Sequence, residues 1–239
     1  NPLNIQRIAL ISRKFPGIWK FIMKKLLLLA LTLCSACIQP PSPANRHEGR
    51  VAAQALINEY GKMATNTAVL NDVLLRIVTA NQKLLSPNTF SLHLLATLKP
   101  LAFSTASGEI LISRGLIHQL QNEGEFAFIL AHEVAHISLH TSQVSYKKDQ
   151  EQTADALGVK LLIAAGYDPR VAITALQNSY QKSGFYEAKL QAEIDQYPSL
   201  AERVALVAQE IRGAQWAPPG TVNRRAYTQL RHLLLTKRN

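Results

Sequence analysis

The sequence predicts an α+β domain that is mainly helical, with a small antiparallel β-sheet beside the helix that contains residues 132–136. Helical patterns occupy most of the chain after residue 49, and short β-prone runs lie on either side of a turn at Lys99-Pro100. Helix-start signals recur after these runs. The chain from Cys37 onward is long enough for one domain with a sizeable core, and the sequence shows no internal repeat.

The order of the elements follows from their composition and start signals. Helices are expected over residues 51–60 and 65–85, followed by strands in S-L-H-L-L-A-T and E-I-L-I-S. We expect the second run, residues 109–113, to be an edge strand. Farther on, Asp168-Pro169 gives an N-cap followed by proline at the first helical position. Ser199 with Glu202 forms a capping box that opens another helix.

The N-terminal residues are expected to lie outside the domain. Met23 opens M-K-K-L-L-L-L-A-L-T-L-C-S-A-C, which has a basic start, an apolar core and small residues at its end, as secretory signals do. Its apolar run is shorter than the roughly 20 residues that span a bilayer. We therefore predict an upstream extension over residues 1–22 that is absent from the native protein, and a lipoprotein signal peptide over residues 23–36.

Both cysteines of the chain, Cys34 and Cys37, lie at the end of this segment. C-S-A-C resembles the lipobox of bacterial lipoproteins, and it predicts that Cys37 is acylated. Ordinary signal cleavage and a buried cysteine pair are the alternatives. Residues 37–48 are predicted to be a linker, since Q-P-P-S-P-A-N reads as an extended spacer. Because Ile38 stands where an inner-membrane retention signal has aspartate, we expect a periplasm-facing lipoprotein of the outer membrane.

The positive charge of the chain is concentrated in its two ends. Lys+Arg total 26 and Asp+Glu 16, but six of the basic residues and none of the acids precede Cys37, so the remainder carries 20 − 16 = +4 rather than +10. A net charge of +4 is too small to indicate a nucleic-acid partner. Residues 214–239 form a basic C-terminal tail. It could touch anionic lipid or a partner, but a solvated helix packed on its leucines is favoured.

The motif His132-Glu133-Val134-Ala135-His136 contains two candidate metal ligands and a candidate general base. Positions i and i+4 share one face of a helix, so both imidazoles can bind one zinc ion. Glu133 follows the first histidine, where its carboxylate can act on a water molecule as a general base. A core helix with two hydrogen-bonded histidines is the alternative interpretation.

The residues around the motif support a helix. Asn122 can cap its start, with Glu125 as capping-box partner. An apolar stripe at helical spacing is offset from the two histidines and consists of Phe126, Leu130, Val134 and Ile137.

A zinc hydrolase needs a third protein ligand, and Glu151 is the candidate. Glu151 and Asp155 are i and i+4 on a helix that begins near Asp149, so both carboxylates face the same way. Asp155 would accept a hydrogen bond from a ligand histidine and fix its tautomer. His140 competes for the role, but three histidines in line on one helix cannot converge, because they are about 6 Å apart along its axis. Both acids could instead lie on a solvated face.

Taken together, H-E-V-A-H, the following E-x-x-A-D and A-G-Y-D-P resemble the gluzincin metallopeptidases related to the CAAX prenyl endopeptidase. Among these, the sequence looks most like the bacterial periplasmic proteases that guard outer-membrane protein assembly. The resemblance covers about residues 91–213. It implies a zincin-like metalloprotease domain over residues 49–213, with one Zn²⁺ per chain, and a small sheet beside the active-site helix.

Y-P-S-L-A-E-R-V resembles a later family segment, with one departure. Tyr197 stands where relatives usually have a histidine that can bind zinc and keep the enzyme inactive. Arg203 matches the arginine of the family segment. Self-inhibition of that kind is therefore not expected. We predict that Arg203 and Tyr197 stabilise the oxyanion of the reaction.

These observations predict a zinc-dependent endopeptidase. Zinc on His132, His136 and Glu151 would activate water, with Glu133 taking the proton and passing it to the leaving amine. Expected partners are unfolded or misassembled envelope polypeptides, which would pair with an edge strand at residues 109–113, and the membrane through the N-terminal lipid. The alternatives are a zinc-containing holdase or assembly lipoprotein that does not hydrolyse peptides, and a structural lipoprotein without metal.

Overall fold

A computed structural model describes residues 42–65, 67–85, 89–139, 148–181, 198–217, 220 and 224–236. The predicted signal peptide, Cys34, Cys37, His140 and Tyr197 lie outside these residues. In chain order the described elements are α1 (Pro43–Tyr60), α2 (Ala68–Ala80), α3 (Gln82–Leu85), β1 (Ser91–Leu95), β2 (Ala102–Ser104), β3 (Glu109–Ser113), α4 (Arg114–Gln119), α5 (Glu123–Ser138), α6 (Lys148–Ala164), α7 (Val171–Gln181), α8 (Leu200–Gly213) and α9 (Arg225–Thr236).

Helix α5, which carries the histidine motif, forms the centre of the fold. Every residue from Glu123 to Ile137 is buried, so the helix is covered all round and not only along its predicted stripe. Helices α2, α6 and α7 and strands β2 and β3 contact it. Asn122 caps its start by accepting a hydrogen bond from Glu125 N, as predicted. The Glu125 carboxylate reaches back to Gln121 N rather than to the N-cap backbone.

The sheet is mixed, not antiparallel as the sequence analysis predicted. Its strand order is β1-β3-β2, with β1 parallel to β3 and β2 antiparallel to it. A tight turn in which Gly108 has φ +90° joins β2 to β3. After β1, the chain reverses direction and forms β2 on the far side of β3. It then turns back into β3, which lies between the two strands and runs parallel to β1.

Strand β3 is central, so the prediction of an edge strand at residues 109–113 is wrong. Ile110, Leu111 and Ile112 are all buried, and a strand buried on both faces shows a continuous apolar run instead of alternation. The outer edge of β1 is partly covered, because Met63 N donates to Leu94 O and Ala96 N donates to Gly61 O, each at 2.9 Å. Among the described residues, β2 pairs with β3 alone and leaves its other edge open.

Helix α1 begins eight residues earlier than predicted, so it occupies the second half of the expected linker. Pro43 takes its first position and the Ser42 side chain accepts a hydrogen bond from Asn45 N at 3.2 Å, which together start the helix. Its Ala53 packs against a small cluster on the sheet that includes Leu95.

The basic tail contains α9, whose Tyr227, Leu230 and Leu234 are buried in the main core. The interpretation of a helix packed on its apolar residues is therefore confirmed for this part of the tail. Among the described helices, none combines the length and the apolar character needed to cross a membrane.

Candidate metal centre

The two motif histidines lie side by side on α5, one turn apart. Their Nε2 atoms are 3.0 Å apart, and their rings are nearly perpendicular, with an interplanar angle of 89°. Both are buried, His132 at 7% and His136 at 1% exposure. The helix therefore presents two imidazole nitrogens at a single point in the interior.

Helix α6 runs antiparallel to α5 and packs closely on it. Glu151 lies beside His136, whereas Asp155 lies beside His132 one turn later. A Cβ added at Gly158 would stand 3.3 Å from His132 N, so a larger residue there would push the two helices apart. The close approach of these helices brings the acidic residues of α6 to the histidines.

Glu151 completes a three-residue cluster. Its Oε1 lies 3.1 Å from His136 Nε2, and its Oε2 lies 3.5 Å from His132 Nε2. One ligand atom from each residue lies within 4.8 Å of the others. Ligand atoms about 2.05 Å from a tetrahedral zinc ion are about 3.3 Å apart, so this donor set fits zinc. Two imidazoles and one carboxylate are also the ligand set of catalytic zinc sites that leave one position open.

The carboxylates of the cluster are held in their charged form. Burial acts to raise the pKa of Glu151, but the Arg203 charge and the two histidines outweigh it and hold that pKa well below its usual range. Burial likewise acts to raise the pKa of Asp155, and the Arg203 guanidinium overcomes it and lowers that pKa. For His132, burial acts to lower the pKa, but the carboxylates of Asp155 and Glu151 raise it to about 10.

These directions describe a site with excess negative charge. Protons and metal ions compete for the same nitrogens, because a histidine must be neutral to bind zinc. A divalent cation would supply the positive charge that the cluster otherwise obtains by protonating His132.

Asp155 and Arg203 form a layer behind the ligands. Asp155 Oδ1 lies 3.0 Å from His132 Nδ1, the ring nitrogen that points away from the cluster, where a carboxylate can orient the imidazole. Arg203 binds Asp155 through two nitrogens and approaches Glu151 through the third. The contact of Arg203 with these acids was not foreseen, and neither was the role of Gly158.

Glu133 is also buried, and among the described residues its Oε2 has no hydrogen-bond partner. A buried acceptor that is left unpaired costs about 1–3 kcal/mol, so a group from outside the described chain, such as water or a substrate, would satisfy it. The predicted roles of Tyr197 and of an oxyanion contact stay predictions.

Comparison with known proteins agrees with the geometry. A model of peptidase family M48 matches residues 64–146, which include α5 and both motif histidines. The mitochondrial metalloendopeptidase OMA1 of Arabidopsis thaliana is 26% identical to this chain over a match that covers 45% of the chain and 29% of that relative. The chain thus spans less than a third of this relative's length. Peptidase family M48 consists of zinc-dependent gluzincin metallopeptidases, and residues 64–146 of this chain are similar to it.

Proposed function

We propose that this protein is a zinc-dependent endopeptidase whose metal ligands are His132, His136 and Glu151. The observation that carries the proposal is that these three side chains are buried and that one ligand atom of each lies within 4.8 Å of the others. Two imidazoles and one carboxylate that converge in this way form the ligand set of a catalytic zinc site. The OMA1 relative is a metalloendopeptidase, which supports cleavage within chains rather than at their ends.

The residues divide the chemistry between them. Zinc, when bound, supplies Lewis-acid polarisation of the peptide carbonyl and activation of water. Glu133 accepts the proton of the attacking water and then gives it to the leaving amine. Its unpaired, buried Oε2 suits a base that must reach a group from outside the described chain.

Substrate is captured by main-chain pairing at the open edge of β2. This strand contacts α5 and is the edge of the sheet that residues 61–63 leave uncovered. Ser113 N donates to Leu101 O and Thr105 N donates to Glu109 O, so the odd positions of β2 face β3. By alternation, the backbone groups of Ala102 face outward. An extended polypeptide that pairs there is recognised through main-chain hydrogen bonds rather than through its side chains, which suits unfolded substrates.

Ala102→Pro tests this mode of capture because it removes the outward N–H and leaves the bonds to β3. We expect KM for an unfolded substrate to rise about tenfold, the equivalent of one hydrogen bond, with zinc content unchanged. Ala102→Gly keeps the N–H and is the matched control. Equal KM values for the two variants would exclude β2 as the docking edge.

The substrates we propose are unfolded or misassembled envelope proteins, cleaved by an enzyme anchored to the outer membrane through Cys37. Support comes from C-S-A-C directly after an apolar signal core. Cys37→Ser should abolish acyl labelling and release the chain from membranes. Lipid labelling that persists in Cys37→Ser would disprove the anchor and leave the peptidase proposal intact.

The central experiment combines metal analysis with digestion. The purified chain should contain one zinc per chain and should degrade casein and unfolded porin, and a chelator should stop both. Glu133→Gln should retain zinc and lose activity by about 10²–10⁴-fold, the usual contribution of a general base. Glu59→Gln, on the exposed surface of α1, is the control. A zinc-bound wild-type chain without peptidase activity would favour the holdase instead.

A further inference from the structure

Arg203 links α8 to both acids of the metal centre. We propose that Arg203 is a positioning residue, which aims Glu151 and, through Asp155, His132 at one metal ion. This inference rests on the proposed zinc site and assigns Arg203 a role different from the oxyanion contact predicted from the sequence.

The first contact is a two-pronged ion pair with Asp155. Arg203 Nε donates to Oδ2 and Nη2 donates to Oδ1, each at 2.7 Å. Arg203 is 4% exposed and Asp155 is fully buried. A planar guanidinium held by two parallel hydrogen bonds fixes the rotation of the carboxylate as well as its position. Asp155 Oδ1 then lies 3.0 Å from His132 Nδ1, so the orientation of the carboxylate determines that of the imidazole.

The second contact acts directly on a ligand. Arg203 Nη1 lies 3.3 Å from Glu151 Oε2, and the other oxygen, Oε1, is 3.1 Å from His136 Nε2. The guanidinium therefore favours a carboxylate orientation in which Oε1 is turned toward the histidines. All three guanidinium nitrogens face an acid of the site, an arrangement suited to orienting the ligands.

The charges of the site explain why this position needs a cation. Glu151 and Asp155 are buried and face the Arg203 guanidinium, which lowers the pKa of both carboxyl groups. With neutral histidines, a divalent metal ion at Glu151 would leave the charge of Asp155 to be balanced by Arg203. Removing a partner from a buried ion pair leaves an uncompensated charge, which is strongly unfavourable. Arg203 thus neutralises Asp155, which is not one of the proposed metal ligands.

The attachment of α8 makes Arg203 a rigid support. Its first turn is fixed by a capping box in which Ser199 accepts from Glu202 N and Glu202 accepts from Ser199 N. Lys148, at the start of α6, pairs with the same glutamate. Helices α6 and α8 also pack on each other along their lengths, which holds Arg203 beside the acids of α6.

The test compares Arg203→Lys and Arg203→Met with Lys160→Met in the full chain. Lys160 pairs with Glu210 between the same two helices, but 3.7 Å apart and on the exposed surface, so it controls for simple loss of an α6–α8 ion pair. Zinc affinity is measured by competition with a chelating dye. The visible spectrum of the Co²⁺-substituted chain reports the geometry of the ligands. Circular dichroism checks the fold of each variant.

We expect Arg203→Lys to bind zinc about 10–100-fold more weakly than wild type and to show a changed Co²⁺ spectrum, as for other residues that orient ligands. A lysine keeps the charge but cannot form the planar two-pronged pair. Arg203→Met should lose more affinity, whereas Lys160→Met should match wild type.

Unchanged affinity and spectrum in a folded Arg203→Lys would overturn the inference, as would a lysine variant that does not fold, since the arginine would then be purely structural. If the wild-type chain binds no metal, the proposed function fails first. If wild type binds zinc and cleaves protein while the Arg203 variants bind zinc equally well, only the positioning role fails.

Discussion

The two ends of α5 each contain buried acidic residues, but their surroundings differ. At the start of the helix, Glu123 and Glu125 are buried and surrounded by donors. Near its end, Glu133 is buried and its Oε2 has no hydrogen-bond partner among the described residues, and the neighbouring histidines converge with Glu151. The same helix therefore combines a structural cluster with a candidate reactive one.

The structural cluster is satisfied by protein alone. Glu123 accepts from Tyr167 Oη at 2.7 Å and from Arg224 through Nε at 2.7 Å and the backbone N at 3.1 Å. Glu125 accepts from Thr174 at 2.8 Å and Asn178 at 3.0 Å, besides its bond at the helix start. These bonds attach α7, the turn after α6 and the segment before α9 to the start of α5.

This difference distinguishes buried carboxylates that stabilise the fold from buried carboxylates that take part in a candidate reactive site. A carboxylate with three or four protein donors has little capacity left for another ligand. One that faces other acceptors is costly unless a cation or an external donor joins it. Substitutions at the two ends should therefore affect different measurements.

The largest effect is expected from removing the third ligand. Glu151→Ala should lose zinc and peptidase activity together, because two histidines alone do not make a catalytic zinc site. Glu125→Gln, an equally buried acid on the structural side, should keep stoichiometric zinc in its folded fraction, and His140→Ala should keep zinc and activity. Metal analysis of the purified variants shows which residue is the third ligand. Stoichiometric zinc in Glu151→Ala, with zinc lost from His140→Ala, would reassign the ligand.

A smaller effect, on stability alone, is expected at the opposite end. Glu123→Gln turns one acceptor oxygen into a donor that faces Tyr167 or Arg224, and it should lower the free energy of unfolding by about 1–3 kcal/mol. Zinc affinity should stay within twofold of wild type, since Glu123 and His132 are about 13 Å apart along the helix. Urea unfolding and dye competition measure the two quantities. A tenfold loss of zinc affinity would mean that the clusters are coupled.

The sequence predicted the features that depend on neighbouring residues. The i, i+4 histidines, the Asn122 cap of α5 and the Ser199–Glu202 capping box all involve residues within one turn, and the structure contains each of them. Glu151 and Asp155 were found because both face one side of a single helix. Features that depend on distant residues were missed. The contact between Arg203 and Asp155 joins residues 48 positions apart and leaves no periodic signal.

The order of the strands was predictable in part. The poor alternation of E-I-L-I-S is typical of a strand buried on both faces, although it was interpreted as an edge. Gly158 could also have been noticed, since it lies one turn beyond Ala154 on the face next to the ligands. Small residues at that spacing allow close packing of two helices, but only the partner helix identifies the contact as part of the metal centre.

The smallest effect is expected from Tyr167→Phe, which removes one hydrogen bond to Glu123. Below pH 10 this change should cost about 1 kcal/mol of stability, without altering zinc binding.

Burial and the Glu123 carboxylate raise the pKa of Tyr167 above its ordinary value of 10.0. A group whose pKa is raised by folding contributes stability below its unfolded pKa and loses it as the pH rises through the folded value. The stability advantage of wild type over Tyr167→Phe should therefore shrink as the pH rises above 10. Chemical unfolding of both proteins at pH 8 and pH 10.5 measures it, and a constant difference would show that the phenol does not titrate against this carboxylate.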